Sequence, residues 1–156
     1  MTALSPLRLR RLAPGESGEL GAALAAMDPW RTLGFSATAL ARYLERDDPA
    51  LRRLVAERAG RAAGLIALRN PWLRGPSIEV LAVLPDARGG GLGRALVEWA
   101  AGEAAGSGNL WACVSSFNAP ARAFWARAGF VEVAPLPDLV TPGHDEILLR
   151  RSSGRW

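Results

Sequence analysis

The segment Arg88-Gly89-Gly90-Gly91-Leu92-Gly93-Arg94 concentrates the chemistry that this sequence offers. An apolar run over residues 77–84 leads into it, and a helical pattern (Leu92, Ala95, Leu96, Trp99, Ala100) leaves it at once. Glycines let the backbone turn tightly and come close to a ligand. A helix N-terminus offers unpaired N–H groups and the positive end of the helix dipole. Together they form a pocket for a phosphate or pyrophosphate, with Arg88 and Arg94 able to add charge at its rim. A glycine-rich connection that binds nothing would carry the same pattern. A dinucleotide fold does not fit. It expects G-x-G-x-x-G directly after the first strand, whereas this motif reads G-x-G-x-G, lies mid-chain and is separated from its strand by Pro85-Asp86-Ala87-Arg88.

The remaining reactive side chains are few. All 19 cationic residues are arginine, and there is one histidine (His144), one cysteine (Cys113) and one tyrosine (Tyr43). The absence of lysine excludes a Walker-type phosphate loop, Schiff-base chemistry and protein kinases of the usual kind. One histidine and one cysteine cannot build a common tetrahedral zinc site, so no metal is expected. One cysteine cannot form an intramolecular disulfide. No apolar run reaches membrane-spanning length, and the first residues lack the apolar core of a signal peptide. These points lead to the expectation of a soluble, cytoplasmic protein with no membrane partner. The net charge of +4 permits an anionic partner. The arginine pairs, however, fall inside expected strands without the basic stripe and interleaved aromatics that a nucleic-acid binder shows.

The elements that must position these groups follow from periodicity. The 156 residues suit one domain, 1–156. Residues 7–12 alternate as a strand. Leu20, Ala23, Leu24 and Met27 share a helix face, broken by Asp28-Pro29. A second helix starts after Ser36, its N-cap, and ends at Asp47-Asp48-Pro49. Residues 51–58 and 62–69 form a hairpin around Ala59-Gly60, followed by a strand over 77–84. A helix over 91–105, a strand over 110–115, a helix over 118–128 closed by Gly129, and strands over 130–133 and 145–150 complete the chain. The fold class is mixed α/β around one sheet.

The segment Arg88-Gly89-Gly90-Gly91-Leu92-Gly93, with Val83-Leu84-Pro85 before it, resembles the main signature of the GNAT superfamily of N-acetyltransferases, Q/R-x-x-G-x-G/A after the fourth strand. A second signature of that family, N-x-x-A-x-x-F/Y-Y-x-x-x-G-F, is met by Asn118, Ala121, Phe124, Gly129 and Phe130, with Trp125 standing where tyrosine is usual. The resemblance implies a central, mostly antiparallel mixed sheet flanked by helices. It implies acetyl-CoA as co-substrate, with coenzyme A pyrophosphate held by Gly89, Gly90, Gly91, Leu92, Gly93 and Arg94. The pantetheine arm would lie along Leu81, Ala82 and Val83, with Asn118, Ala121 and Trp125 beside it. A backbone N–H near Leu81 and Ala82 would stabilise the oxyanion while an amine attacks directly. Many relatives form homodimers.

The reaction needs a proton acceptor for an ammonium substrate and has use for a proton donor to the leaving thiolate. Glu79 is the candidate base, being the one charge in residues 77–84; by alternation it is expected on the face of Leu81 and Val83. It could instead be a solvent-facing acid paired with an arginine. Trp125 cannot donate a proton as tyrosine would; it either packs on the pantetheine or belongs to the core. Asp28, Trp30, Tyr43 and His144 are candidates for the acceptor site, or else a helix cap, core anchors and a structural histidine.

Asp28-Pro29-Trp30 with Phe35, and Gly143-His144-Asp145, also resemble the branch that acetylates ribosomal protein N-termini. Cys113 and Trp125, however, stand where that branch has glutamate and tyrosine. The expected acceptor is therefore a small-molecule amine rather than a protein N-terminus, and an acyl-CoA-binding module with little catalysis is the alternative. Cys113 is expected to be a buried small residue.

Overall fold

The computed structural model describes residues 6–152. Strand β1 (Arg8–Arg10) is followed by helices α1 (Glu16–Ala25), α2 (Trp30–Leu33) and α3 (Ala37–Glu45), then strands β2 (Leu51–Arg58), β3 (Arg61–Arg69) and β4 (Ser77–Val83). Helix α4 (Leu92–Glu103), β5 (Asn109–Ser115), α5 (Ala119–Arg127), β6 (Val131–Leu136) and β7 (Glu146–Ser152) complete it. The seven strands form one sheet in the order β1-β2-β3-β4-β5-β7-β6. Only β4 and β5 run parallel; every other neighbouring pair is antiparallel.

Local chemistry accounts for the element boundaries. Ser36 accepts a hydrogen bond from the Ala39 N–H (3.0 Å) and caps α3. The β2–β3 hairpin turns at Ala59 and Gly60, both at positive φ, the geometry that favours a tight two-residue connection. Gly129, at φ 93°, closes α5. Helix α2 was not expected from periodicity. Four residues carry too short a pattern, and the Asp28 side chain builds this helix by accepting from the Thr32 N–H and hydroxyl.

Two apolar layers sandwich the sheet. Leu92, Leu96, Val97 and Ala100 of α4 and Trp125 of α5 pack on one face together with Ala112, Val114, Ile147 and Leu149. Leu20 and Leu24 of α1 and Leu40 and Leu44 of α3 pack on the other, against Val55, Leu65, Val80 and Ala82. Helices α1 and α3 meet at Gly21, where an added Cβ would lie 2.7 Å from the Ala37 carbonyl oxygen. That close crossing seats α3, and with it Tyr43, over the sheet.

Candidate active site

The sheet opens at its one parallel junction. The ladder between β4 and β5 holds only Ser77↔Trp111 and Ile78↔Ala112. Beyond Ile78 the strands part, and one edge of β4 is left without a neighbouring strand. The Leu84 N–H donates to the Ala63 carbonyl on β3. Backbone groups alternate between the two edges of a strand, so those of Ala82 also turn toward β3 and those of Leu81 and Val83 face the open edge. The Val83 carbonyl accepts from Arg88 Nε at 3.3 Å, as this geometry requires. Of the three β4 positions expected to meet a pantetheine arm, Leu81 and Val83 therefore present backbone groups to the cleft, and Ala82 spends its own on the sheet.

The glycine turn stands at the mouth of this cleft. Gly89 (φ 81°) and Gly91 (φ 78°) adopt left-handed conformations, and Gly91 is the N-cap of α4 without any side-chain cap. The first N–H groups of α4 thus have no acceptor within the helix, and no acidic residue sits in the first turn. Gly93 lies against Phe124 and Val83; a Cβ there would meet Phe124 Cε2 at 3.2 Å. Arg88 turns back to Val83. Arg94 donates to the Arg127 carbonyl at the end of α5 (2.9 Å) and pairs with Glu98, so its side chain ties α4 to α5. Arg58, at the end of β2, was missed. Its guanidinium lies so near Gly90 that a Cβ on that residue would come within 2.7 Å of it, and it reaches the Ala87 carbonyl at 3.5 Å. Nothing in its sequence neighbourhood marks it, because it arrives from a strand two places away in the sheet.

Glu79 occupies a β-bulge. Ala67 pairs with Val80 and Leu68 with Ile78, leaving Glu79 as the extra residue on β4. This overturns the expectation that Glu79 shares a face with Leu81 and Val83. Those two pack with Ile78 toward α4 and α5, whereas the Glu79 carboxylate lies on the α3 side, with Val80 and Ala82. It accepts from the Tyr43 hydroxyl at 2.5 Å and from Arg69 Nε at 2.8 Å and a second Arg69 nitrogen at 3.3 Å. Arg69 also holds Asp48 (3.1 Å), and its hydrogen bond to Asp48 is the largest cause keeping the Asp48 carboxyl below its ordinary range. Burial, and then the bond to Glu79, hold the Tyr43 hydroxyl well above the ordinary phenol range. Tyr43 therefore acts as a hydrogen-bond donor to Glu79 and keeps its proton at neutral pH.

The other expected site residues have partners within the fold. Asp28 accepts from the Thr32 hydroxyl (2.6 Å), which chiefly lowers its pKa, and from Arg31 (3.0 Å). Trp30 packs beside the α1–α3 layer. Asn118 caps α5 through the Ala121 N–H at 3.4 Å, and Ala121 packs on the core. Trp125 is 6% exposed and meets Phe130 and Phe124 edge-on, with centroids 4.8 and 5.5 Å apart. It packs in the core on the α4–α5 face of the sheet. Phe124, half-buried between Gly93 and Val83, takes the position beside the cleft.

Cys113 is exposed rather than buried, because Ala112 and Val114 take the core-facing positions of β5. Its neighbours still withhold solvent, and this, aided by the Glu146 charge, pushes the thiol up to about 11. His144 stacks edge-on with Phe117 (5.2 Å). The loop that carries it is tied to α2 by the Thr141 hydroxyl, which donates to the Leu33 carbonyl at 3.0 Å. Among the described residues there is no cluster of side chains able to hold a metal ion, and no helix long and apolar enough to cross a membrane.

Comparison with known proteins agrees with this geometry. Over 90 residues the chain is 40% identical to the streptothricin acetyltransferase of Streptomyces lavendulae, covering 55% of this chain and 48% of that protein. The chain thus spans about half the length of this curated relative. The crystal structure of a nourseothricin acetyltransferase is 32% identical, with a TM-score of 0.61 over 68% of this chain and 67% of that one. An acetyltransferase from Thermus thermophilus shares the fold nearly end to end, with a TM-score of 0.75, 22% identity, and coverage of 96% of this chain and 98% of that one. Residues 22–130 match the model of the Acetyltransferase (GNAT) family. Two motifs, an open β4 edge and a glycine turn at an uncapped helix start are thus joined by a family match over most of the sequence, and the chain belongs to the GNAT acetyltransferase family.

Proposed function

We propose that this chain transfers an acetyl group from acetyl-CoA to a primary amine by direct attack. The observation that carries the reading is the alignment of two unpartnered backbone surfaces. The open edge of β4 at Leu81 and Val83 leads to the glycine turn and the uncapped start of α4. A thioester ending a long amide-bearing arm, with a pyrophosphate at its other end, matches this order of groups. The backbone of residues 89–94 would hold the pyrophosphate, with Arg58 beneath the turn adding charge. The Leu81 N–H is the donor placed to meet an oxyanion.

Glu79, Tyr43 and Arg69 form one wall of the acceptor side. Both Glu79 oxygens already accept hydrogen bonds, so its role is to attract and orient a cationic amine. A small-molecule amine is the favoured acceptor, because Cys113 and Trp125 replace the glutamate and tyrosine expected for acetylation of protein N-termini. The similarity to a streptothricin acetyltransferase supports including that antibiotic among the amines tried.

The test is acetyl-CoA binding by calorimetry, together with thiol release from acetyl-CoA in the presence of streptothricin, spermidine, kanamycin, L-lysine and an alanine-terminated peptide. Mass spectrometry should identify the acetylated product. Binding and turnover with at least one small amine are expected. Binding without turnover would convert the reading to an acyl-CoA-binding module, and absence of binding would refute it.

A further inference from the structure

The splayed strands place a second carboxylate across the cleft from Glu79, on a strand that neither sequence motif includes. Glu146 opens β7 and pairs with Ser115 at the end of β5. Ala112 and Val114 of β5 and Ile147 and Leu149 of β7 pack toward α4 and α5. The alternate residues Cys113, Ser115, Glu146 and Leu148 therefore face the opposite side of the sheet. This is the side on which Tyr43 and Glu79 meet. Counting forward from the last ladder pair, Ile78↔Ala112, and passing over the bulged Glu79, Val114 falls level with Leu81, the residue with the candidate oxyanion donor, and Ser115 with Ala82, one position further along. Glu146, paired with Ser115, thus lies one strand beyond the cleft and one residue past the height of Leu81.

Its environment differs from that of Glu79. Glu146 is 6% exposed. Its Oε1 accepts from the Ser115 hydroxyl at 2.7 Å, and its Oε2 has no protein donor among the described residues. No buried side-chain polar atom among those residues is both sealed from solvent and unpaired, so Oε2 opens to accessible space. With Oε1 held by Ser115, Oε2 is the oxygen free to accept a hydrogen bond from an incoming ammonium.

We infer that Glu146 takes the proton from the acceptor ammonium through its open oxygen, with Ser115 fixing the carboxylate and Glu79 orienting the amine from the far wall. This inference rests on the acetyl-transfer reading above. The ammonium gives one proton to Glu146, and the freed nitrogen lone pair forms the C–N bond at the thioester carbonyl. The C–S bond breaks with its electrons on sulfur. The thiolate then takes the second nitrogen proton, directly or through water, and Glu146 returns its proton to solvent. Burial raises the Glu146 carboxyl above its ordinary range, against the opposing effects of the Ser115 hydroxyl and the His144 charge; a base is most effective when its pKa approaches the working pH. The titratable groups around it are Cys113 on β5 and His144 and Asp145 in the loop before β7. On β6 its register partner is Leu136, which does not titrate.

The experiment compares the wild type, Glu146→Gln, Glu146→Asp and Glu79→Gln with the fastest amine of the panel, measuring kcat from pH 5 to 10 and acetyl-CoA affinity at each pH. Glu146→Gln should lower kcat at neutral pH by about 10²–10⁴-fold with acetyl-CoA affinity within about twofold. The loss should shrink as pH approaches the amine's own pKa, where no base is needed. Glu146→Asp should fall between, and Glu79→Gln should act mainly on KM for the amine. Gln keeps the acceptor for Ser115 and removes a buried charge, so thermal unfolding provides the folding control. A carboxyl raised in the folded state costs stability as pH rises through its pKa, and Glu146→Gln should lose that decline. Turnover by Glu146→Gln within threefold of the wild type, with an unchanged pH profile, would overturn the inference alone. Binding of acetyl-CoA by the wild type with no turnover on any amine would overturn the acetyl-transfer reading and the inference with it.

Discussion

Replacing Gly21 by alanine tests whether the α1–α3 crossing controls the proposed acceptor wall. An added Cβ would sit 2.7 Å from the Ala37 carbonyl oxygen and 2.8 Å from the Ala41 nitrogen. Both are helix backbone atoms that cannot rotate aside. Ordinary carbon–oxygen contact is wider by roughly half an ångström, so the two helices must part by about that much. Overpacking of this kind costs about 1–3 kcal/mol, while alanine recovers about 0.5–1 kcal/mol of helix propensity. The net expectation is a loss of about 1–2 kcal/mol. For a domain of this size that is a Tm lower by about 3–6 °C. Gly18 lies in the same helix with nothing within 4 Å of its added Cβ, and Gly18→Ala should hold or raise Tm. Because α3 carries Tyr43, the Gly21 variant should also raise KM for the amine more than KM for acetyl-CoA. The assays are differential scanning calorimetry and steady-state kinetics on both variants. A Tm for Gly21→Ala at or above that of Gly18→Ala would refute the reasoning.

Gly91→Ala forces an L-residue into a left-handed conformation at a cost of about 1–2 kcal/mol. If the turn relaxes to escape it, acetyl-CoA affinity should fall about five- to thirtyfold by calorimetry. Gly93→Val presses on Phe124 and Val83 and should fall at least as far; unchanged affinity in both would refute the cradle. Tyr43→Phe removes the hydroxyl donor to Glu79 and should raise KM for the amine severalfold with little change in acetyl-CoA affinity. With its thiol pushed up to about 11, Cys113 should be about one part in a thousand thiolate at pH 8. Iodoacetamide alkylation should therefore accelerate about tenfold per pH unit toward that value, and an early plateau would contradict it. Trp125→Ala should cost about 3–5 kcal/mol, read as a large drop in Tm.

The hairpin at Ala59-Gly60, the cap at Ser36, the close at Gly129 and the order of the principal elements were legible because each is written in neighbouring residues. The four-residue helix α2 was not, since its stabilising contacts come from one Asp28 side chain rather than from a repeating pattern. The alternation of β4 was misread at Glu79 for a related reason. A bulge appears only when a strand is aligned with its partner, and one extra residue exchanges the faces of everything before it.

The glycine turn proposed to cradle the cofactor is written in local sequence. Gly89, Gly91 and the start of α4 act through backbone conformation and a helix end, both set by residues a few positions apart. The side-chain contacts of the proposed acceptor side belong to the tertiary structure. Arg69 meets Glu79 and Ser115 meets Glu146 across strand boundaries, and Tyr43 descends from a helix 36 residues earlier. Whether a carboxylate is held by an arginine or keeps one oxygen free depends on which strands are neighbours in the sheet, and no local spacing encodes that neighbourhood.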